Sequence, residues 1–194
     1  FHFRSGLAGR HNLENMLCAA GTAVALNLSP QSIQAGLENV SAVPGRLQRV
    51  PGPVNRPIFV DYAHTPDALE NVIEALLPLT TARLICVFGC GGDRDIKKRP
   101  LMGEIAARRC DLAIVTSDNP RSERPMAIIE HILAGIQKAD GVAYSAADVK
   151  NGFDGKGYVV EPDRQSAIAL SMGASRPGDI VLIAGKGHET YQIL

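Results

Sequence analysis

From Ile58 onward the sequence repeats one unit: a short apolar run, then a stretch with helical spacing. The apolar runs are Ile58-Phe59-Val60-Asp61, Leu84–Phe88, residues 112–116, residues 158–161 and Ile180–Ala184. Helical patterns fall at residues 66–77, 100–109, 125–137 and 163–172. Runs that are apolar at successive positions, not at alternate ones, suit strands covered on both faces. Such strands separated by helices predict an α/β fold with a mostly parallel sheet and helices on both faces. A further short strand is read at residues 47–50, and residues 142–157 read as a loop with weak periodicity.

The first part of the chain is different. Gly9-Arg10-His11-Asn12 precedes a helical pattern whose apolar positions are Leu13, Met16, Leu17, Ala20, Val24 and Leu28. Ser29-Pro30 starts a second helix, with Ser29 as N-cap and Pro30 in the first turn, and Ile33, Leu37 and Val40 form its apolar face. Two helices cannot close a core alone, and Pro44-Gly45 is a strong turn signal. The expected boundary therefore lies near residue 42, with 1–41 belonging to a neighbouring domain and 42–194 forming the α/β domain. The chain begins without Met or a signal-peptide pattern and ends on Tyr191-Gln192-Ile193-Leu194 with no closing helix, which predicts a piece of a longer protein.

Composition excludes some classes. The formal net charge is zero, so a general nucleic-acid binder is not expected. No apolar run approaches the roughly 20 residues needed to span a membrane. Hydrophobic residues make up 45% of the chain, enough for a substantial core. Cys18, Cys86, Cys90 and Cys110 form no Cys-x-x-Cys, and reduced, mostly buried thiols are expected.

Most of the predicted strands end in unusual chemistry. The ends are Asp61-Tyr62-Ala63-His64, then Gly89 to Asp95, then Ser117-Asp118-Asn119-Pro120-Arg121, then Gly185-Lys186-Gly187-His188-Glu189. Ligands of open α/β sheets bind at the carboxyl ends of strands, so these ends predict one composite site. Each has a plainer reading as well. Thr65-Pro66 is a helix cap, and a structural network competes with a nucleotide contact for Asp61, Tyr62 and His64. The Gly91-Gly92-Asp93-Arg94 turn has neither P-loop nor dinucleotide spacing. Arg94 offers a fork for a carboxylate, and Lys97, Lys98 and Arg99 behind it suit phosphate, against a reading as a solvated cluster. Residues 117–123 are a turn, with Asn119 and Arg121 as donors for an amino-acid head group. Glu189 can receive an ammonium, the alternative being a flexible tail.

These residues resemble a known family. Gly9 to Asn15, Pro44-Gly45-Arg46, Asp61 to Pro66, Phe88 to Asp95, Asp118 to Arg121 and Gly185 to Glu189 occur in this order in the Mur ligases, over nearly the whole chain. The resemblance implies that residues 1–41 end a central ATP-binding domain and that 42–194 are a Rossmann-like C-terminal domain, truncated at its end. The Asp-Asn-Pro-Arg run resembles the branch that adds meso-diaminopimelate. The implied reaction uses ATP and Mg2+ to phosphorylate a carboxylate of UDP-N-acetylmuramoyl-L-alanyl-D-glutamate, and the amine of meso-diaminopimelate attacks the acyl phosphate. The residues implied for the amino acid are Arg94, Asp118, Asn119, Pro120, Arg121, Gly185 and Glu189. Those implied for ATP are His11, Asn12, Asn15, Arg46, Asp61, Tyr62 and His64. The family's P-loop, magnesium ligands and carbamylated lysine lie upstream, so this chain is expected to carry no catalytic residue or metal ligand and to be inactive alone. A cytoplasmic monomer without nucleic-acid or membrane partners is implied. The rivals are another Mur-type or polyglutamate-type ligase, against which Asp118–Arg121 and Gly185–Glu189 speak, and a nicotinamide-binding domain, which would need a Gly-x-Gly-x-x-Gly.

Overall fold

The computed structural model describes residues 2–52 and 54–193. Two helices come first, α1 (Arg10–Ala25) and α2 (Pro30–Glu38). The Ser29 hydroxyl accepts from the Ser32 amide, with Pro30 in the first turn, as the sequence predicts for the start of α2. Met16, Ile33 and Leu37 make a small cluster between them, while Leu13, Leu17, Val24 and Leu28 of the predicted apolar set are exposed, as is Val40.

The remaining elements are β1 (Gln48–Val50), β2 (Ile58–Asp61), α3 (Pro66–Leu76), β3 (Leu84–Phe88), α4 (Lys98–Arg109), β4 (Leu112–Val115), α5 (Pro125–Gln137), β5 (Val142–Ala143), α6 (Ala146–Asn151), β6 (Gly157–Val160), α7 (Arg164–Ala174) and β7 (Ile180–Ala184). Among the described residues the strands form one sheet in the order β1-β2-β7-β3-β4-β6-β5. Only the β1–β2 pair is antiparallel. β3 and β4 are buried at every position. Their side chains divide by parity: Leu84, Cys86 and Phe88 face a core with α3, α4 and α5, and Ile85 and Val87 face a second core with α6 and α7. The sheet is thus sandwiched between two helical layers, the Rossmann-like arrangement expected.

The segment read as a loop, 142–157, contains β5 and α6. Two residues and six residues are too short to show a period. The start of α6 nevertheless carries a reciprocal cap, Ser145 with Asp148 three positions on. Helix α4 begins at Lys98, two residues before the predicted Pro100, because Pro100 occupies its first turn and does not open it. Leu47 lies outside β1, buried and with a positive φ of 42°.

Candidate functional site

In the sheet order, β2, β7, β3 and β4 are consecutive and parallel, so their polar ends lie side by side on one rim. The composite site expected from the strand ends is therefore assembled, and it has two sides.

One side is built from the ends of β3, β4 and β7. The glycine-rich turn after β3 lies directly on the turn after β4: the Gly92 amide donates to the Asn119 carbonyl at 2.9 Å. A Cβ at Gly92 would run into the Pro120 carbonyl, so only glycine permits this approach. The Asp93 carboxylate accepts from the Ser122 amide and hydroxyl, at 3.2 and 2.6 Å. These bonds to the ionised form hold the Asp93 carboxyl below the usual range. Arg121, with φ 53°, donates a guanidinium N–H to the Gly92 carbonyl. Arg94 and Arg121 are both exposed on this rim. Asp118, Asn119 and Pro120 are buried beneath them.

The turn after β7 closes this side. Its Lys186 ammonium lies 3.1 Å from Asp118 Oδ1, 3.0 Å from Asn119 Oδ1 and 3.4 Å from Glu189 Oε2. Gly185, with φ 111°, packs against Asp118, where a Cβ would meet Oδ2 at 3.2 Å. The segment after Glu189 lies over the β4 turn: Gln192 Nε2 donates to the Asp118 carbonyl and the Ile193 amide to Asn119 Oδ1, each at 2.8 Å. The structure thus brings together every residue expected for the amino acid, with Arg94 at the outer edge.

The basic cluster behind Arg94 differs from its sequence reading. Arg99 is not available to phosphate: its side chain is fully buried and grips Glu123 with both terminal nitrogens, at 2.7 and 2.8 Å. The same guanidinium donates to His131 Nδ1 at 3.0 Å and to the Gly91 carbonyl at 3.3 Å. This pairing draws the Glu123 carboxyl down to about 2, the bonds from Arg99 being the largest cause and the Asp93 amide the next. Lys98 donates to the His64 carbonyl at 2.7 Å. The sequence reading offers Arg99 to phosphate and gives Lys186 no role, since nothing in a run of basic residues or a Gly-Lys-Gly turn tells which cation points inward.

The other side lies between α1 and the α/β domain. A cavity of about 580 Å³ is lined by His11 and Glu14 from α1, by Arg46 and Asp61, and by Asn71 and Glu74 of α3. The Arg46 guanidinium stands over the Tyr62 ring, 5.1 Å from its centre. Tyr62 also meets His64 edge-on at 4.8 Å and His188 at 5.9 Å, an aromatic wall that reaches the cavity through Arg46 and does not itself line it. His188, outside the expected set, belongs to this wall. Asp61 is buried, its two carboxylate oxygens accepting from the Leu47 and Ala63 amides at 2.6 and 2.7 Å. Asn12 is buried too and donates to the Ala8 carbonyl at 2.7 Å, bracing the entry to α1. Asn15 is exposed and does not line the cavity. Of the residues expected for ATP, the cavity gathers His11, Arg46 and Asp61.

Comparison with known proteins places the chain in a family. A family model described as Mur ligase, glutamate ligase domain, matches residues 45–187. The UDP-N-acetylmuramoyl-L-alanyl-D-glutamate--2,6-diaminopimelate ligase of Geobacter metallireducens is 53% identical over 99% of this chain, and that of Synechococcus elongatus is 50% identical over 100% of this chain. The chain spans 38% and 36% of the length of these curated relatives. A solved structure of a ligase of the same name superposes over the whole chain with a TM-score of 0.68 at 38% identity, covering 36% of that protein. A folylpolyglutamate synthase of Mycobacterium tuberculosis shares the fold over 94% of this chain and 39% of its own, with a TM-score of 0.66 at 18% identity. Motif order, sheet topology and the family match agree: the chain belongs to the Mur ligase family.

Proposed function

We propose that the chain is the C-terminal part of an ATP-dependent ligase that adds meso-diaminopimelate to UDP-N-acetylmuramoyl-L-alanyl-D-glutamate in peptidoglycan synthesis. One observation carries the reading. Two arginines, Arg94 and Arg121, sit at the rim above two acids, Asp118 and Glu189, within one cluster of turns. A substrate with two carboxylates and two ammonium groups needs guanidinium forks for the former and carboxylates for the latter. Lysine, lacking one carboxylate, would leave a guanidinium without a partner.

In this reading residues 1–41 are the end of the central domain and 42–194 the C-terminal domain, and the family match beginning at residue 45 supports that division. ATP is a substrate. The Arg46 guanidinium suits a polyphosphate and the Tyr62 wall a flat base, so the residues present fit a nucleotide. The precursor's carboxylate oxygen attacks the γ-phosphorus of ATP and ADP leaves. The diaminopimelate amine then attacks the acyl carbon, phosphate leaves and the nitrogen loses a proton. This chain's residues hold the amino acid and close on the nucleotide. Mg2+ accompanies ATP, its ligands lying outside the chain. The protein works in the cytoplasm as a monomer, without nucleic-acid or membrane partners.

Calorimetry of the chain with meso-diaminopimelate and with L-lysine tests the reading, the expected result being binding of the first in clear preference. In the full-length ligase, Arg121→Ala should raise the diaminopimelate KM strongly, since an unpaired carboxylate in a closed site costs about 2–5 kcal/mol. Unchanged diaminopimelate kinetics in that variant would overturn the role given to Arg121.

A further inference from the structure

The Lys186 ammonium is enclosed by oxygens: Asn119 Oδ1 at 3.0 Å, Asp118 Oδ1 and the Tyr191 carbonyl at 3.1 Å, and Glu189 Oε2 at 3.4 Å. Its side chain is 11% exposed. An ammonium has three protons, and these acceptors take all of them. Lys186 therefore has nothing left to offer a substrate carboxylate, the first task a lysine on this rim would suggest.

Its effect falls on its neighbours. Asn119 Oδ1 accepts from Lys186 and also from the Ile193 amide at 2.8 Å. A carboxamide can be turned over at little cost in most settings. Here the reversed amide would set its NH2 against a cation and a backbone N–H. The orientation is fixed by that clash, and Nδ2 is left as a donor with no partner among the described residues. The same ammonium spans Asp118 and Glu189 and so keeps two acids close together without mutual repulsion.

We propose that Lys186 is a positioning residue of the amino-acid subsite, locking Asn119 as a carboxylate donor and holding Asp118 and Glu189 as an ammonium acceptor pair. The proposal rests on the amino-acid reading of this site and adds to it the residue that sets its polarity.

The test is steady-state kinetics of the full-length ligase carrying Lys186→Met, Asn119→Ala, or both. Lys186→Met should raise the diaminopimelate KM about ten- to a hundred-fold, the loss of a charge-assisted bond, with the ATP KM unchanged. A merely structural role would instead move both KM values, kcat and thermal stability together. Because Lys186 acts through Asn119, Asn119→Ala should matter far less in the Lys186→Met background than in the wild type. Lys186→Arg, which keeps the charge, should recover part of the loss and serves if Lys186→Met does not fold. A diaminopimelate KM indifferent to both Lys186 variants, an ATP KM rising in step, or multiplicative effects in the double variant would overturn the proposal. A wild-type enzyme that does not use diaminopimelate would instead sink the reading of the site itself.

Discussion

Asp61 joins the two sides of the site through its acceptors. Its carboxylate receives the Leu47 and Ala63 amides, and its carbonyl receives the Gly185 and Gly187 amides at 3.0 and 3.1 Å. Arg46 precedes Leu47, and Lys186 lies between those glycines, so one residue sets the spacing between the cavity beside α1 and the turns after β3, β4 and β7. Asp61→Asn keeps the shape but places an NH2 against one of the buried amides. It should cost about 1–3 kcal/mol in denaturant unfolding, the penalty of an unsatisfied buried donor. The Arg99–Glu123 pair works in the same way between the β3 and β4 turns. Glu123 has a folded pKa of about 2, below an ordinary value of 4.5. A depressed carboxyl contributes stability that is full above the ordinary value and lost as pH falls through the folded one. Thermal melts of wild type and Glu123→Gln should therefore differ most at neutral pH and converge between about pH 4.5 and pH 2. A gap that stays constant over that window would count against this pairing. Burial raises the Cys90 thiol to about 11, and a hydrogen bond with Cys86, followed by burial, raises Cys110 well above its ordinary value. Only Cys18 is exposed. A thiolate-directed reagent on the native chain at pH 7.5 should thus modify Cys18 quickly and the other thiols only on unfolding.

Helices and strands differ in how much of them the sequence shows. The strands of the central sheet were legible because burial on both faces writes a continuous apolar run, as in Leu84–Phe88. The helices from Pro66 and Pro125 were legible from proline in the first turn. β5 and α6 were not, being too short for a period, although Ser145 and Asp148 mark the cap. The clustering of the polar strand ends was legible, since such ends fall on one rim whenever the strands are parallel. Their wiring was not. Lys97, Lys98 and Arg99 are equivalent as text, and only packing decides that Arg99 turns in to Glu123, Lys98 reaches the His64 carbonyl and Lys97 stays exposed. The α4–α5 contact is also a matter of packing. Gly103 of α4 lies against the Ile132 carbonyl, and Gly135 of α5 against the Pro100 carbonyl. Gly135→Ala would gain helix propensity yet force the two helices apart, and overpacking of this kind costs about 1–3 kcal/mol. Since Arg99 rides on α4 and His131 on α5, the same variant should weaken diaminopimelate binding in calorimetry alongside its loss of stability.

The described sheet depends on β7. β7 pairs with β2 on one side and β3 on the other, in register over Ile58↔Val181 and Leu84↔Ile180. It also supplies the turn that joins the two sides of the candidate site. A chain stopped after Pro177 should therefore lose amide protection in β2 and β3 as well as in the missing residues, which hydrogen exchange would report; protection retained in β3 would show that half of the sheet to be independently stable. During synthesis, β2 and β3 leave the ribosome long before the strand that belongs between them. Until it arrives, each offers an unpaired edge, the kind of surface that invites wrong partners and aggregation. The order of the sheet thus makes the nascent chain a client for protection, and the polar ends of β2 and β3 come to one rim only once β7 has arrived between them.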